Sequence, residues 1–304
     1  MSPDRIKRIK ENPKLLFLTL GHRGFFNWMS DKQYLKAAFK IRMGRELILD
    51  DPQSYSDKLQ WLKLYDRRPI YTQMVDKYEV KKLVREKIGE AYIIPTIGLW
   101  NHFNEINFDE LPDRFVLKCT HDSGGLVICK DKGKLNKGWA QKKIEGCLRH
   151  NFFWGQREWP YKNVRPRIIA EPYLEDKSTH ELRDYKFFTF DGEVKALFIA
   201  TERNGNEETK FDFFDAEGVL LPFTNGHPHA DPTPSLPSCF EEMKKLAAIL
   251  GQGIPQVRVD FYEADGKVYF GELTFFHWSG MTPYEPEEWD YIFGSWLRLP
   301  EETI

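Results

Sequence analysis

The stretch Gln256–Phe276, QVRVDFYEADGKVYFGELTFF, consists of two runs alternating apolar and polar residues around Asp265-Gly266, and its reading decides the fold. Period-two alternation marks a half-buried strand, and Asp-Gly between two such runs marks a hairpin. A three-residue loop, Ala264-Asp265-Gly266 with Gly266 left-handed, puts even-numbered side chains on one face of both strands. That face collects Arg258, Asp260, Glu272 and Thr274, and the other collects Val257, Val259, Phe261, Leu273 and Phe275. A two-residue Asp265-Gly266 turn changes the parity and sends the two carboxylates to opposite faces. Period two therefore gives a polar cluster opposite an apolar face, provided that the loop has three residues.

Two carboxylates held close together repel unless a cation or a proton lies between them. Mg²⁺ suits such a pair, because it takes one or two carboxylates and fills its remaining positions with water and phosphate oxygens. Arg258 on the same face neutralises anionic oxygens beside the metal. The other reading is a solvated hairpin face with a surface Arg–carboxylate pair, and spacing alone leaves both open.

Upstream, FVLKCTHDSGG (Phe115–Gly125) is an apolar strand bearing Lys118 just before a glycine pair. Glycines let backbone amides approach an anion, and the ammonium adds a point charge. The lysine precedes the glycines, so this is not a P-loop. By itself the pattern also fits a plain hairpin. In IIAEPYL, Glu171 interrupts an apolar run before a proline, as a strand-end surface residue or as an acceptor in a pocket. RDYKFF gathers Arg183, Asp184 and Lys186 at a strand start.

The rest of the chain supplies elements around these stretches. Gln33–Met43 and Lys58–Tyr65 carry apolar residues at helical spacing. Asp76 with Glu79 resembles a capping box opening a helix that Gly89 closes, and Ser238 with Glu241 resembles another before a helix through Leu250. Ala91–Leu99 reads as a short strand-like run and Leu135–His150 as a helix. Pro166–Leu174, Asp184–Phe190 and Glu193–Ala200 read as strands, the last two joined by Asp191-Gly192. Residues 222–237 hold five prolines and form a connection rather than an element. The uneven mixture predicts an α+β chain with antiparallel sheets.

Composition narrows the class. With 304 residues, 41% hydrophobic and 30% charged, the chain is neither disordered nor a membrane protein. A net charge of −2 removes bulk attraction to nucleic acid as an argument. Four scattered cysteines, Cys119, Cys129, Cys147 and Cys239, form no C-x-x-C pair and suit a reducing, cytoplasmic setting with structural roles. Lys7, Arg8 and Lys10 precede Leu15–Leu18, but His22 and Arg23 break that run too early for a signal segment or a spanning helix. No repeat recurs.

Taken in order, LQWLKLYDR (Leu59–Arg67), VDKYEVKKLV, FVLKCTHDSGG, PRIIAEPYL, DYKFFTFDG, RVDFY and FGELTFFHWSGM resemble the ATP-grasp superfamily, and within it the TupA-like branch named for teichuronopeptide biosynthesis. The resemblance spans about residues 55–295 and implies two α+β subdomains clasping ATP under a glycine-rich lid, preceded by a helical N-terminal region. The expected division is 1–75 helical, 76–170 small subdomain with the lid, and 171–304 large subdomain with the metal site. On that pattern Lys77 and Lys118 contact phosphates, and the stretch from His121 through Ser123, Gly124 and Gly125 forms the lid. Glu171, Pro172, Tyr173 and Leu174 form a hinge reading the adenine, with Glu171 near its amino group or the ribose. Asp260 and Glu272 hold Mg²⁺, and Arg258 faces the transferring phosphoryl group. Lys186 lines the cleft. Where the superfamily has glutamate-x-asparagine, this chain has Glu272-Leu273-Thr274, which puts a second ion in doubt.

What the resemblance implies is an ATP- and Mg²⁺-dependent ligase (one or two ions, or Mn²⁺), with catalytic roles for Arg258, Lys118 and Lys186. It would join a carboxylate to an amine through an acylphosphate, as between an amino acid and a sugar acid or amino sugar in surface-polysaccharide biosynthesis. The alternatives are a kinase-like phosphotransferase, a glycosyltransferase, for which no D-x-D motif is seen, and a non-catalytic nucleotide-binding protein. Small molecules are the expected partners, with no nucleic acid and no integral membrane segment. Among the remaining residues, the 152–161 aromatic cluster and the His227 and His229 loop read as structural. Arg203 is a candidate substrate contact, and His277–Gly280 is expected to shape the acceptor pocket.

Overall fold

The computed structural model describes residues 14–177, 182–202 and 208–301. Arg203, Lys7, Arg8 and Lys10 lie outside the described residues. Helices α1 (Leu15–His22), α2 (Asp31–Met43), α3 (Tyr55–Tyr65), α4 (Ile70–Val75) and α5 (Val80–Ile88) come first. Ser30 and Ser54 cap α2 and α3, each hydroxyl accepting the backbone N–H three residues on, and a left-handed Gly44 ends α2. The capping serine at 54 starts α3 earlier than its apolar spacing alone suggests.

At α5 only half of the expected capping box forms. Asp76 accepts from the amides of Tyr78 (2.8 Å) and Glu79 (3.2 Å), whereas Glu79 pairs with Arg167 instead of reaching back. Gly89, at φ +102°, closes the helix.

The strands follow as β1 (Gly98–Trp100), β2 (Phe115–Cys119), β3 (Leu126–Cys129) and β4 (Ile168–Pro172), with α6 (Lys137–Leu148) and α7 (Phe153–Gln156) between β3 and β4. Next come β5 (Asp184–Phe190), β6 (Glu193–Thr201), β7 (Lys210–Asp215), β8 (Thr224–Asn225), α8 (Phe240–Gly251), β9 (Val257–Ala264), β10 (Lys267–Thr274), β11 (Tyr284–Glu285) and α9 (Glu288–Trp296). Two expectations change here. The strand-like run before Leu99 contracts to Gly98–Trp100. Ser238 does not cap α8, because its amide and hydroxyl both go to Glu263.

Every pairing is antiparallel: a four-stranded sheet β1-β4-β2-β3, a five-stranded sheet β10-β9-β5-β6-β7, and a small β11-β8 ribbon. The four-stranded sheet packs a core of Phe115, Leu117, Val127, Ile144, Ile168 and Ala170. The five-stranded sheet shares a larger core with α8 and with Leu35, Phe39, Leu59 and Leu62 of the N-terminal helices. Helix α8 packs on one face of β5 and β9; the other face carries the charged side chains together with the buried rings of Phe188 and Phe198.

The decisive hairpin corrects the expected loop. Ala264 pairs with Lys267, so the turn is the two-residue Asp265-Gly266, with φ of +51° and +71°. Both residues left-handed make a type I′ turn, matching the twist of the strands. Such a turn alone would bury Glu272 on the apolar face. A β-bulge prevents this: Phe270 lies opposite Phe261, but Glu272, two residues on, lies opposite Asp260. Gly271 is the extra residue, and a Cβ there would sit 3.0 Å from the Asp260 carbonyl oxygen and 3.1 Å from the Tyr262 ring. The bulge restores the parity that the shorter turn removes. Asp260 and Glu272 therefore share a face, by a route other than the expected loop.

Candidate functional site

Register assembles a row of three charged side chains across the five-stranded sheet, Lys186 on β5 opposite Asp260 on β9, and Asp260 opposite Glu272 on β10. The adjacent row places Arg258 opposite Thr274. On the other face Phe187, Val257, Val259, Phe261 and Leu273 are buried, and α8 packs against β5 and β9. Period two thus separates the ionic row from the side that α8 covers, while Phe188 opposite Arg258 and Phe198 opposite Lys186 bring buried rings onto the ionic face.

Asp260 is 1% exposed and its two oxygens accept Arg258 Nε and Nη2 at 2.7 Å each, while Lys186 Nζ also bonds to it. Burial pushes the Asp260 carboxyl up, but the two cations outweigh it and hold it below the usual carboxylate range. Burial likewise lowers the Lys186 ammonium, against the pull of Asp260. Asp184 lies 3.5 Å from Lys186.

Glu272 differs. Its side chain is 36% exposed, and its ion pairs are long, 3.7 Å to Arg258 and 3.8 Å to Lys77. The Thr274 hydroxyl accepts from Arg258 Nη2 at 3.0 Å, so this oxygen faces the guanidinium.

Lys77 joins this face to the glycine loop. Its Nζ donates to the Asp122 carbonyl (2.5 Å) and its amide donates to the Thr120 carbonyl (3.1 Å). Within the loop the Asp122 carboxylate accepts from the amides of Gly124 (3.2 Å) and Gly125 (2.8 Å). The amides expected to meet phosphate are thus turned onto an internal carboxylate. Ser123 and Gly124 are exposed. His121 points elsewhere: it is buried, with Nε2 against the carbonyls of Cys147 (3.1 Å) and His150 (3.0 Å) at the end of α6. Carbonyls left over at a helix end attract such a ring.

Lys118 and Glu171 do meet. Glu171 is 4% exposed and accepts from Lys118 (2.5 Å) and Lys81 (2.6 Å). Burial raises its carboxyl, and the two ammoniums bring it below the usual range. Lys81 also donates to the Ile94 carbonyl and the Thr96 hydroxyl. Lys77, Lys81, Lys118, Glu171, Phe270 and Gly271 line a narrow cleft of about 10 Å³ between the two sheets, so the bulge forms part of its wall. Beyond Pro172, Tyr173 turns outward, its ring under Arg114 (4.5 Å) and Lys130 (5.4 Å). Leu174 is half-buried.

Lys81, Lys63 and Asn225 were not singled out from sequence. Lys81 stands four residues after Lys77, in the first turn of α5, and that closeness in sequence could have flagged it. Lys63 is fully buried, donating to the Ser279 carbonyl (2.8 Å) and hydroxyl (2.7 Å), and burial lowers its ammonium below the usual lysine range. Glu158 faces it, raised by burial. Arg157 is fully buried among the Tyr34, Phe153 and Trp154 rings, which makes the 152–161 cluster largely structural. His229 pairs with Asp212 at 3.1 Å, and His227 packs on Phe211. Behind Arg258, His277 and Asn225 form a buried pair.

The donor chemistry fits Mg²⁺. Among the described residues no group of three or more His, Cys, Asp or Glu is arranged as a protein cage. A hard cation here would find one open carboxylate, Glu272, and one shielded carboxylate, Asp260, with the rest to come from water and phosphate, a donor set of the kind Mg²⁺ takes. Among the described residues no helix is long and apolar enough to cross a membrane.

The family described as TupA-like ATPgrasp matches residues 57–298. No curated protein matches the chain. Among solved structures, the chain is similar to D-alanine–D-alanine ligase from Bacillus anthracis complexed with ATP, at 18% identity and TM-score 0.39, covering 66% of this chain and 53% of that one. It is also similar to the D-cycloserine synthetase DcsG (14% identity, TM-score 0.41, 75% and 70% covered). A third is the ATP-grasp ligase PsnB with a phosphomimetic precursor variant, Mg and ADP (11% identity, TM-score 0.43, 80% and 66% covered). The chain spans about half the length of the first of these. With most of its length matched, the chain belongs to the TupA-like ATP-grasp family and carries an α+β ATP-grasp fold.

Proposed function

We propose that this protein is an ATP-dependent carboxylate–amine ligase that forms an amide through an acylphosphate, with an amino acid and a sugar acid or amino sugar as its substrate class. The observation that carries this reading is the row Lys186–Asp260–Glu272 with Arg258 beside it, tied through Lys77 to the glycine loop. The boundaries proposed for the parts remain 1–75, 76–170 and 171–304.

Lys77 and Lys118 steady the triphosphate, and Glu171 with the following Pro172–Leu174 backbone takes the adenosine end. Glu272 and Asp260 would hold Mg²⁺, which would neutralise phosphate charge there. A substrate carboxylate oxygen attacks the γ-phosphorus in line, and the bond to the ADP oxygen breaks. Arg258 and Lys186 face the charge that develops on the equatorial oxygens. An amine then attacks the acyl carbon, phosphate leaves, and the amine gives up a proton. Closure of the loop over residues 121–125 keeps water from the acylphosphate. Asp122 must release the Gly124 and Gly125 amides for them to turn to phosphate.

The test is ADP release from Mg-ATP across paired amino acids and sugar acids. Release that requires both a carboxylate and an amine supports the ligase. A stable phosphorylated product formed without any amine would replace it with a kinase-like transfer.

A further inference from the structure

Arg258 has five N–H donors and four of them are engaged among the described residues. Nε and Nη2 hold Asp260 at 2.7 Å, Nη2 also reaches Thr274 at 3.0 Å, and Nη1 reaches His277 Nδ1 at 2.8 Å. A guanidinium cannot accept a hydrogen bond, so Nδ1 must offer its lone pair. The proton of a neutral His277 then lies on Nε2, which donates to Asn225 Oδ1 at 3.0 Å.

The far end is fixed in the same way. Asn225 Nδ2 donates to the carbonyls of Thr282 (3.0 Å) and Pro283 (2.9 Å), and carbonyls only accept. The amide orientation is therefore set by chemistry, and it presents Oδ1 to the imidazole. Each link has one direction, from two carbonyls at one end to a guanidinium at the other. Asn225 is 1% exposed and His277 4%, so water does not compete. The His277 ring stands edge-on to Phe188 at 5.2 Å and 90° and packs on Phe198 at 5.2 Å. The ribbon β8–β11 holds Asn225 opposite Tyr284.

We propose that His277, oriented by Asn225, is a positioning residue that locks the Arg258 guanidinium and directs its one remaining N–H, on Nη1, toward the reacting phosphoryl group. The Asn225 amide matters as an amide: an aspartate there would stabilise an imidazolium, which has no lone pair for Arg258. The charged groups facing the ring are Arg258 from β9 and Lys186 from β5, and both, with burial, oppose its protonation. The aim of Nη1 at phosphate rests on the ligase reading, whereas the relay itself does not.

The experiment separates the two. Nitrogen NMR of ¹⁵N-histidine-labelled protein reads the His277 tautomer directly. The relay predicts one neutral form, protonated on Nε2, from about pH 5.5 to about pH 8, and loss of that bias in Arg258→Leu. A ring that titrates in this range, or carries its proton on Nδ1, overturns the proposal whatever the enzyme does. In turnover, His277→Leu is expected to lower kcat on the order of tenfold to a hundredfold with KM for ATP nearly unchanged. His277→Gln, which keeps an acceptor and a donor, recovers much of the loss. Equal losses in both variants, following their melting temperatures, mean a packing role and overturn it. If the unaltered protein releases no ADP with any carboxylate and amine, the ligase reading fails while the NMR still decides the relay.

Discussion

Asp260 and Glu272 look alike in the sequence, but the structure makes them opposites, and substituting each to its amide separates their roles. Asp260→Asn keeps the shape and removes the charge shared by Arg258 and Lys186. The new amide must also turn an N–H toward a group that only donates. The counter-charges left are Asp184, 3.5 Å from Lys186, and Glu272, 3.7 Å from Arg258. Breaking a buried pair from one side costs about 3–5 kcal/mol, and that is the expected loss here. Part of it returns at high pH, because a buried Lys186 without its partner sheds its proton more readily than in the unfolded chain. Glu272→Gln removes a half-exposed carboxylate with only long ion pairs, and its stability cost is expected within about 1 kcal/mol. Both variants should lose ADP release. The assay is urea unfolding followed by tryptophan fluorescence, alongside turnover. A Glu272→Gln midpoint lowered as far as that of Asp260→Asn, or an Asp260→Asn midpoint equal to wild type, would refute the division of labour.

Further expectations follow from the same geometry. Asp260 and Glu171 are both held below the usual carboxylate range by cations, so they contribute stability above an unfolded value of about 4 and lose it as pH falls through their folded values. The urea midpoint should therefore fall on acidification below about pH 4, more shallowly in Asp260→Asn; equal slopes would contradict the assignment. Gly271→Val pushes side-chain atoms against the Asp260 carbonyl and the Tyr262 ring, with an expected cost of about 1–3 kcal/mol and loss of turnover from misplacing Glu272. Wild-type melting and turnover in that variant would show that the bulge does not set the carboxylate. Asp122→Ala should speed hydrogen exchange at the Gly124 and Gly125 amides while Asp122→Asn changes it little, and unchanged exchange in both would remove the carboxylate from the loop's hold.

Much of the architecture was legible from local pattern. The Asp191-Gly192 turn, the apolar face of β9 and β10, and the strands flanking Lys118 and Glu171 all follow from period two and turn chemistry, which act over a few residues. Motif order carried the family, because the matching stretches run through most of the chain. The contacts that emerged only from structure join residues far apart in sequence. Lys81 reaches Glu171 across 90 residues, and His277 reaches Asn225 across 52.

The hairpin shows where local reading stops. The residues on the ionic face were named correctly, but the loop expected to put them there was not, since a type I′ turn and a bulge at Gly271 replace it. Parity along a strand is local, whereas a bulge answers to what packs on both faces of a finished sheet. The sequence by itself determined which side chains alternate, which turns are tight and which family the chain resembles, because those depend on neighbours a few residues apart. Only the tertiary structure decided that Asp260 is shielded and Glu272 open, and that Asp122 holds the glycine amides. Burial and hydrogen-bond partners are set by segments that meet only once the chain has folded.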